Sequence, residues 1–307
     1  MLAFTFCAAA VLRLPLAVHS PALLSTAHPP ALLSAAHAPA IMSRRALFGS
    51  LLSLPLVPAA SATAAPPPKS SFELESRGAY KAFSAGEYAE AARLWEQLCD
   101  RFADQPLAHA NLGTCLIIIA SDMMTLGELP PPAAAARLER ALDAFDTATK
   151  LGSGDALLLN SKGNALGLLQ RWGEARDAYV SAAAAGPRDF ESIPRLNAAA
   201  VSFELGEQDR AEREVRTLLL RDPRFVDGTA LLATLRYARG DMGGAAAAFE
   251  RLCEEPMWCS RYSQDSVVLG RWTPAAVGSF RKLLLEPSVQ RVIRNADAMS
   301  YVPAIGT

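Results

Sequence analysis

An alanine followed four residues later by a bulky residue recurs five times in this chain, as Ala91/Trp95, Ala141/Phe145, Ala175/Tyr179, Ala211/Val215 and Ala245/Phe249. Successive alanines lie 50, 34, 36 and 34 residues apart. A period of this length constrains the fold more than composition does. Each period is one supersecondary unit that cannot bury its apolar face alone, so the units must stack. Five residues before the alanine stands Gly86, Gln170, Gly206 or Gly240, where a turn between two helices falls, and prolines close units at Pro187, Pro223 and Pro256. Small residues at Gly113, Gly163, Ala199 and Ala233 let the first helix of a unit approach the second, with the bulky residue filling the space beside them. The expectation is an all-α solenoid of about five helix–turn–helix units with a C-terminal capping helix.

The units occupy 72–257, with helices at 72–85 and 87–103, 106–121 and 133–150, 154–169 and 172–185, 190–205 and 208–221, and 225–239 and 242–255. The long first interval places an insertion at 122–132, ending in Pro130-Pro131-Pro132. It is read either as a surface excursion or, through Met123, Met124 and Leu126, as an edge to the groove. Residues 258–307 form a cap and tail. Thr273 and Pro274 suit the N-cap and first helical positions. The helical spacing of Val277, Phe280, Leu283 and Leu284 predicts a helix to about Leu285 that covers the exposed face of unit five. Pro287 ends it, and a further short helix is expected over Val289–Met299.

The repeat resembles the tetratricopeptide repeat, and the unit Ala156–Arg188 carries Gly163, Ala175, Tyr179, Ala182 and Pro187 at signature positions. Three stretches go further: Gly154–Gly167 (GDALLLNSKGNALG), Ile193-Pro194-Arg195-Leu196-Asn197, and Cys259-Ser260-Arg261-Tyr262 with Arg271-Trp272-Thr273-Pro274. Together they resemble a chloroplast thylakoid-lumen family of tetratricopeptide proteins of plants, algae and cyanobacteria. The resemblance implies a scaffold or assembly factor without enzymatic activity, which binds an extended or helical peptide on the concave face lined by the first helices. Groove-facing positions are then Asn111, Asn160, Asn164 and Asn197, whose amides can pair with a peptide backbone, and Arg195 would add an acidic preference. The alternative for the asparagines is a structural role. A dicarboxylate clamp of the co-chaperone type is not expected, because Ser76, Tyr80 and Leu157 occupy three of the positions where it needs Lys and Arg.

Chemistry is otherwise sparse. The body keeps one histidine, His109, in a packing position, and it contains no nucleophile elbow, phosphate loop or metalloprotease motif. Cys99, Cys115, Cys253 and Cys259 form no CxxC, so no metal and no cofactor are expected. A disulfide between Cys253 and Cys259 would tie the solenoid to its cap, while Cys99 and Cys115 read as buried thiols. From residue 65 onward there are 27 basic against 31 acidic residues, which argues against nucleic acid as a partner. The expected partner is a protein or peptide, and the resemblance implies a subunit of a photosynthetic complex. The alternatives are a self-associating organiser and a thiol-redox protein.

The front of the chain is a different object. Residues 1–72 contain no Asp or Glu but 10 of the 21 prolines, a composition that suits targeting sequence rather than a core. Residues 1–42 read as signal and transit-like sequence, with near-copies PALLSTAHP and PALLSAAHA. Residues 43–64 resemble a twin-arginine export signal through Ser43-Arg44-Arg45-Ala46-Leu47-Phe48, a short apolar run and small residues for cleavage after Ala62 or Ala64. The apolar run is interrupted by Pro55 and Pro58 and is short for a bilayer, so no transmembrane span is expected in the mature protein. A single N-terminal anchor is the alternative. Residues 65–71 then form a linker, and the expected destination is the thylakoid lumen of the chloroplast.

Overall fold

The computed structural model describes residues 71–300. The presequence, with Arg44 and Arg45, the linker up to residue 70, and the tail after residue 300 lie outside the described residues.

Unit one consists of α1 (Ser71–Glu75), α2 (Arg77–Ser84) and α3 (Tyr88–Arg101). A single helix was expected over 72–85, but it is interrupted at Ser76, whose hydroxyl donates to the Glu73 carbonyl at 3.2 Å. Serine offers the backbone this local alternative to a regular helical ladder. Unit two is α4 (Pro106–Ser121) and α5 (Pro132–Lys150), and unit three is α6 (Ala156–Leu168) and α7 (Trp172–Ala185). Unit four is α8 (Ser192–Glu204) and α9 (Gln208–Arg221), and unit five is α10 (Val226–Ala238) and α11 (Met242–Leu252). The last of these stops three residues short of expectation. Pro256 begins a separate helix, α12 (Pro256–Tyr262), in keeping with proline's preference for a first helical position. A 3₁₀ turn (Asp265–Val267), α13 (Pro274–Leu284) and α14 (Pro287–Ser300) complete the described chain.

The alanine period is the packing seam. Ala91, Ala141, Ala175, Ala211 and Ala245 are buried, as are Trp95, Phe145, Tyr179, Val215 and Phe249. A Cβ added at Gly113 would sit 2.6 Å from the Phe145 ring, and one at Gly163 would sit 2.6 Å from the Tyr179 ring. The glycines therefore admit the rings of the following helix. The inter-helix turns at Gly86, Gly206 and Gly240 have φ near +80°, and Gln170 at φ 59° is the only non-glycine with positive φ among the described residues. A glutamine there carries a steric cost. Its side chain donates to the Glu128 carbonyl at 3.0 Å, which fastens the unit-two insertion to the unit-three turn.

The described residues bury two apolar clusters. One runs through units one to three, and the other joins units four and five to α12–α14. Helix α8 contributes to both, with Ala198 and Val201 in the first and Leu196, Ala199, Ala200 and Phe203 in the second.

Helix α13 covers a face of unit five by packing on α10, and it reaches beyond expectation to α8, so it lies across the first helices of units four and five on the concave side. Its stripe of Val277, Phe280, Leu283 and Leu284 is buried in the second cluster. Thr273 stands at the N-cap position, but its hydroxyl donates to the Ala200 carbonyl at 3.2 Å and not to α13's own first turn. The free helix terminus is satisfied across the groove instead, with the Ala275 N–H donating to Glu204 at 2.8 Å. Helix α14 takes the end position and packs on α11 and α12.

Candidate protein-binding groove

One row of concave positions runs along the starts of α4, α6 and α8 through Leu107, Leu157 and Ile193, each half-buried. Beside the row stand the predicted asparagines, and the structure gives them unequal surroundings. Asn111 is fully buried and donates to the Tyr80 hydroxyl at 3.4 Å, joining the concave helices of units one and two. It therefore does not face the groove from the surface, as the sequence reading had it. Asn160, also buried, accepts from Asn197 at 3.2 Å, which joins units three and four in the same way. Asn164 accepts from the Tyr179 hydroxyl at 2.8 Å, and burial raises that phenol's pKa. Asn164 and Asn197 remain partly exposed, with amide groups to spare.

Arg195 pairs with Glu191 one turn earlier, and Glu191 also accepts from Arg221 at 2.8 Å, so two guanidiniums share one carboxylate. His109 donates from Nε2 to the Ala103 carbonyl at 3.2 Å, in keeping with a packing role. Ion pairs also cross between units, among them Arg176–Glu207 at 2.8 Å and Arg239–Glu212 at 2.5 Å.

Toward unit five the groove is closed by the chain itself. Asp227 occupies the position in α10 that Leu107, Leu157 and Ile193 hold in the other units, and it is buried. Tyr262 donates to it, and Arg271 forms an ion pair with its other oxygen. Burial alone would depress the guanidinium, but Asp227 overrides it and holds the Arg271 pKa above its ordinary value. This cluster fixes the strand of chain leading into α13. Sequence reasoning missed it, although an aspartate in an otherwise apolar row was a visible signal for a buried cationic partner.

Cys253 and Cys259 are joined by a disulfide where α11 meets α12. Cys99 and Cys115 are buried free thiols, and burial pushes both up to about 12. Neither is a nucleophile at ordinary pH. Among the described residues, no group of histidine, cysteine and acidic side chains is arranged to hold a metal ion. Nor is any described helix long and apolar enough to cross a membrane.

The fold has known counterparts. Residues 196–257 match the family model for the tetratricopeptide repeat. No curated protein matches the sequence. Among solved structures, PilW, a widely conserved type IV pilus biogenesis factor, superposes with a TM-score of 0.50 at 16% identity, over 74% of this chain and 100% of that one. A tetratricopeptide repeat protein from Parabacteroides merdae ATCC 43184 gives a TM-score of 0.48 at 15% identity, over 76% of this chain and 94% of that one. The MamA protein gives 0.49 at 15% identity, over 63% and 96%. At these identities the likeness concerns architecture alone. The described body is an all-α tetratricopeptide-repeat solenoid, closed at its C-terminal end by its own helices.

Proposed function

We propose that this protein is a non-catalytic scaffold or assembly factor of the thylakoid lumen, which holds a segment of a partner protein, such as a photosynthetic complex subunit, along the concave face of its first units. The observation that carries this reading is the half-buried row Leu107, Leu157 and Ile193 beside the partly exposed amides of Asn164 and Asn197. Apolar side chains at one per unit suit alternate side chains of an extended segment, and the amides suit its backbone. The lumen assignment rests on the acid-free front segment and its Arg44-Arg45 pair.

The test is affinity capture from isolated lumen with the mature body, wild type against Leu157→Asp, with Val180→Asp on the exposed face of α7 as control. Loss of the captured protein with Leu157→Asp alone supports the groove, provided circular dichroism shows the variant folded. Equal loss with both variants, or with neither, overturns it. Delivery is tested separately: a chain carrying Arg44→Lys and Arg45→Lys is expected to stay out of the lumen.

A further inference from the structure

Charge is divided unevenly along the mature chain. Residues 65–267 hold 22 basic and 29 acidic side chains, whereas residues 268–307 hold 5 basic and 2 acidic. The repeats are therefore acidic and the C-terminal segment that caps them is basic. Four of its five cations are exposed and gather where α13 turns into α14. Arg281 and Lys282 stand in the last turn of α13, and Arg291 and Arg294 in the first two turns of α14. The corner between the helices is Leu285-Glu286, and Leu285 is 77% exposed. An open hollow of about 460 Å³ is walled there by Arg281 and Leu285 from α13 and by Gln290 from α14. Arg294 lies one turn beyond Gln290 on the same side of α14, so cations from both helices border one surface.

These cations are not absorbed by the fold. Arg271 is taken by Asp227, and Arg281 pairs with Asp265 at 2.5 Å. Lys282, Arg291 and Arg294 have no ion-pair partner among the described residues. Helix stability accounts for only half of the arrangement. Cations suit the last turn of α13, but the beginning of a helix favours acids, and α14 has none in its first turn. Packing does not account for Arg291 and Arg294 either, because the apolar stripe of α14, Val289, Ile293 and Ala296, is buried on the opposite side.

We propose that this corner is a docking surface for an anionic lipid bilayer, met through Lys282, Arg291 and Arg294 with Leu285 entering the headgroup layer. Charge complementarity selects the occupant. Three unburied cations spread over two helices form no fixed fork for a single carboxylate of a protein, and they suit a fluid array of headgroup charges. The apolar stripe of α14 is already used in the second cluster, so the contact is electrostatic, reversible and weakened by salt. The acidic repeats are repelled by the same surface, which orients the protein with its C-terminal corner toward the bilayer. This inference is independent of the groove reading and assigns a second surface to the molecule.

The test is sedimentation of the chain from residue 65 onward, which holds every described element, with lipid vesicles. Vesicles of phosphatidylcholine mixed with phosphatidylglycerol are compared with vesicles of phosphatidylcholine alone. Binding is expected to the mixed vesicles only, and it should disappear at high salt. Lys282→Gln, Arg291→Gln and Arg294→Gln should each weaken it about fivefold, and together about a hundredfold. Leu285→Gln should weaken it by less than the triple change. The control is Arg213→Gln with Arg216→Gln and Arg224→Gln, a triple change of equal charge at exposed positions of α9 and the turn after it, and it should bind as the wild type does. No binding to the mixed vesicles, binding indifferent to salt, or equal loss in both triple variants would overturn the proposal. Retention on soluble polyglutamate with none on the vesicles would overturn it too, by assigning the corner to an acidic protein.

Discussion

Units one to three and units four to five are built from the same repeat and differ in what covers their concave faces. In the first three, the row of Leu107 and Leu157 stays half-open, and side-chain hydrogen bonds such as Asn111 to Tyr80 link neighbouring units. In the last two, α13 lies across α8 and α10, Asp227 is locked to Arg271 and Tyr262, and a disulfide braces the exit from α11. One half offers a surface, and the other has covered most of its own and leaves only the start of α8 open. Repetition in sequence therefore does not imply repetition of function, because one added helix decides which units remain available.

The sharpest way to break this contrast is to remove Phe280, which is fully buried and packs edge-on against Trp272 with centroids 5.5 Å apart. Phe280→Ala should cost about 3–5 kcal/mol. Hydrogen exchange should show the loss concentrated in α8, α10 and α13, with α4 to α6 keeping their protection. Uniform loss across all units would mean the two halves are one cooperative block. A smaller effect is expected from Gly163→Ala, where the new methyl meets the Tyr179 ring at 2.6 Å. Overpacking of this kind costs about 1–3 kcal/mol and should fall on unit three. A lowered denaturation midpoint with an unchanged slope would register it. The cysteines give the mildest test. Native protein at pH 8 should resist alkylation, denaturation alone should expose Cys99 and Cys115, and denaturation with reductant should add Cys253 and Cys259. Alkylation of all four without reductant would remove the brace from the comparison.

Much of the fold was legible because the repeat writes its packing seam directly into the spacing. Ala175 and Tyr179 on one helix need Gly163 on the other, and those identities suffice to pair α6 with α7. The position of α13 was not legible in the same way. Its stripe of Val277, Phe280, Leu283 and Leu284 states that one face is buried and points to unit five as the neighbour, and it leaves open that the helix also reaches α8 of unit four. The deciding contacts are long-range: Thr273 with Ala200 and Ala275 with Glu204. The asparagines show a further limit. Their spacing places them on the concave side, yet whether an amide faces a ligand or a neighbouring unit depends on side-chain partners such as Tyr80 and Asn197. Arg195 is similar, since Glu191 and Arg221 meet beside it only after α8 and α9 are packed.

The contacts of α13 also bear on how the chain reaches this state. A simple solenoid can grow from either end, each unit docking on the last as it forms. Here the apolar face of α8 and α10 is completed by residues some seventy positions downstream, as in the pairing of Ala200 with Thr273. Units four and five therefore present an unfinished, sticky surface until almost the whole chain is made. Folding of this half must pay for closing a long loop, which slows it relative to the neighbour-by-neighbour assembly of the first three units.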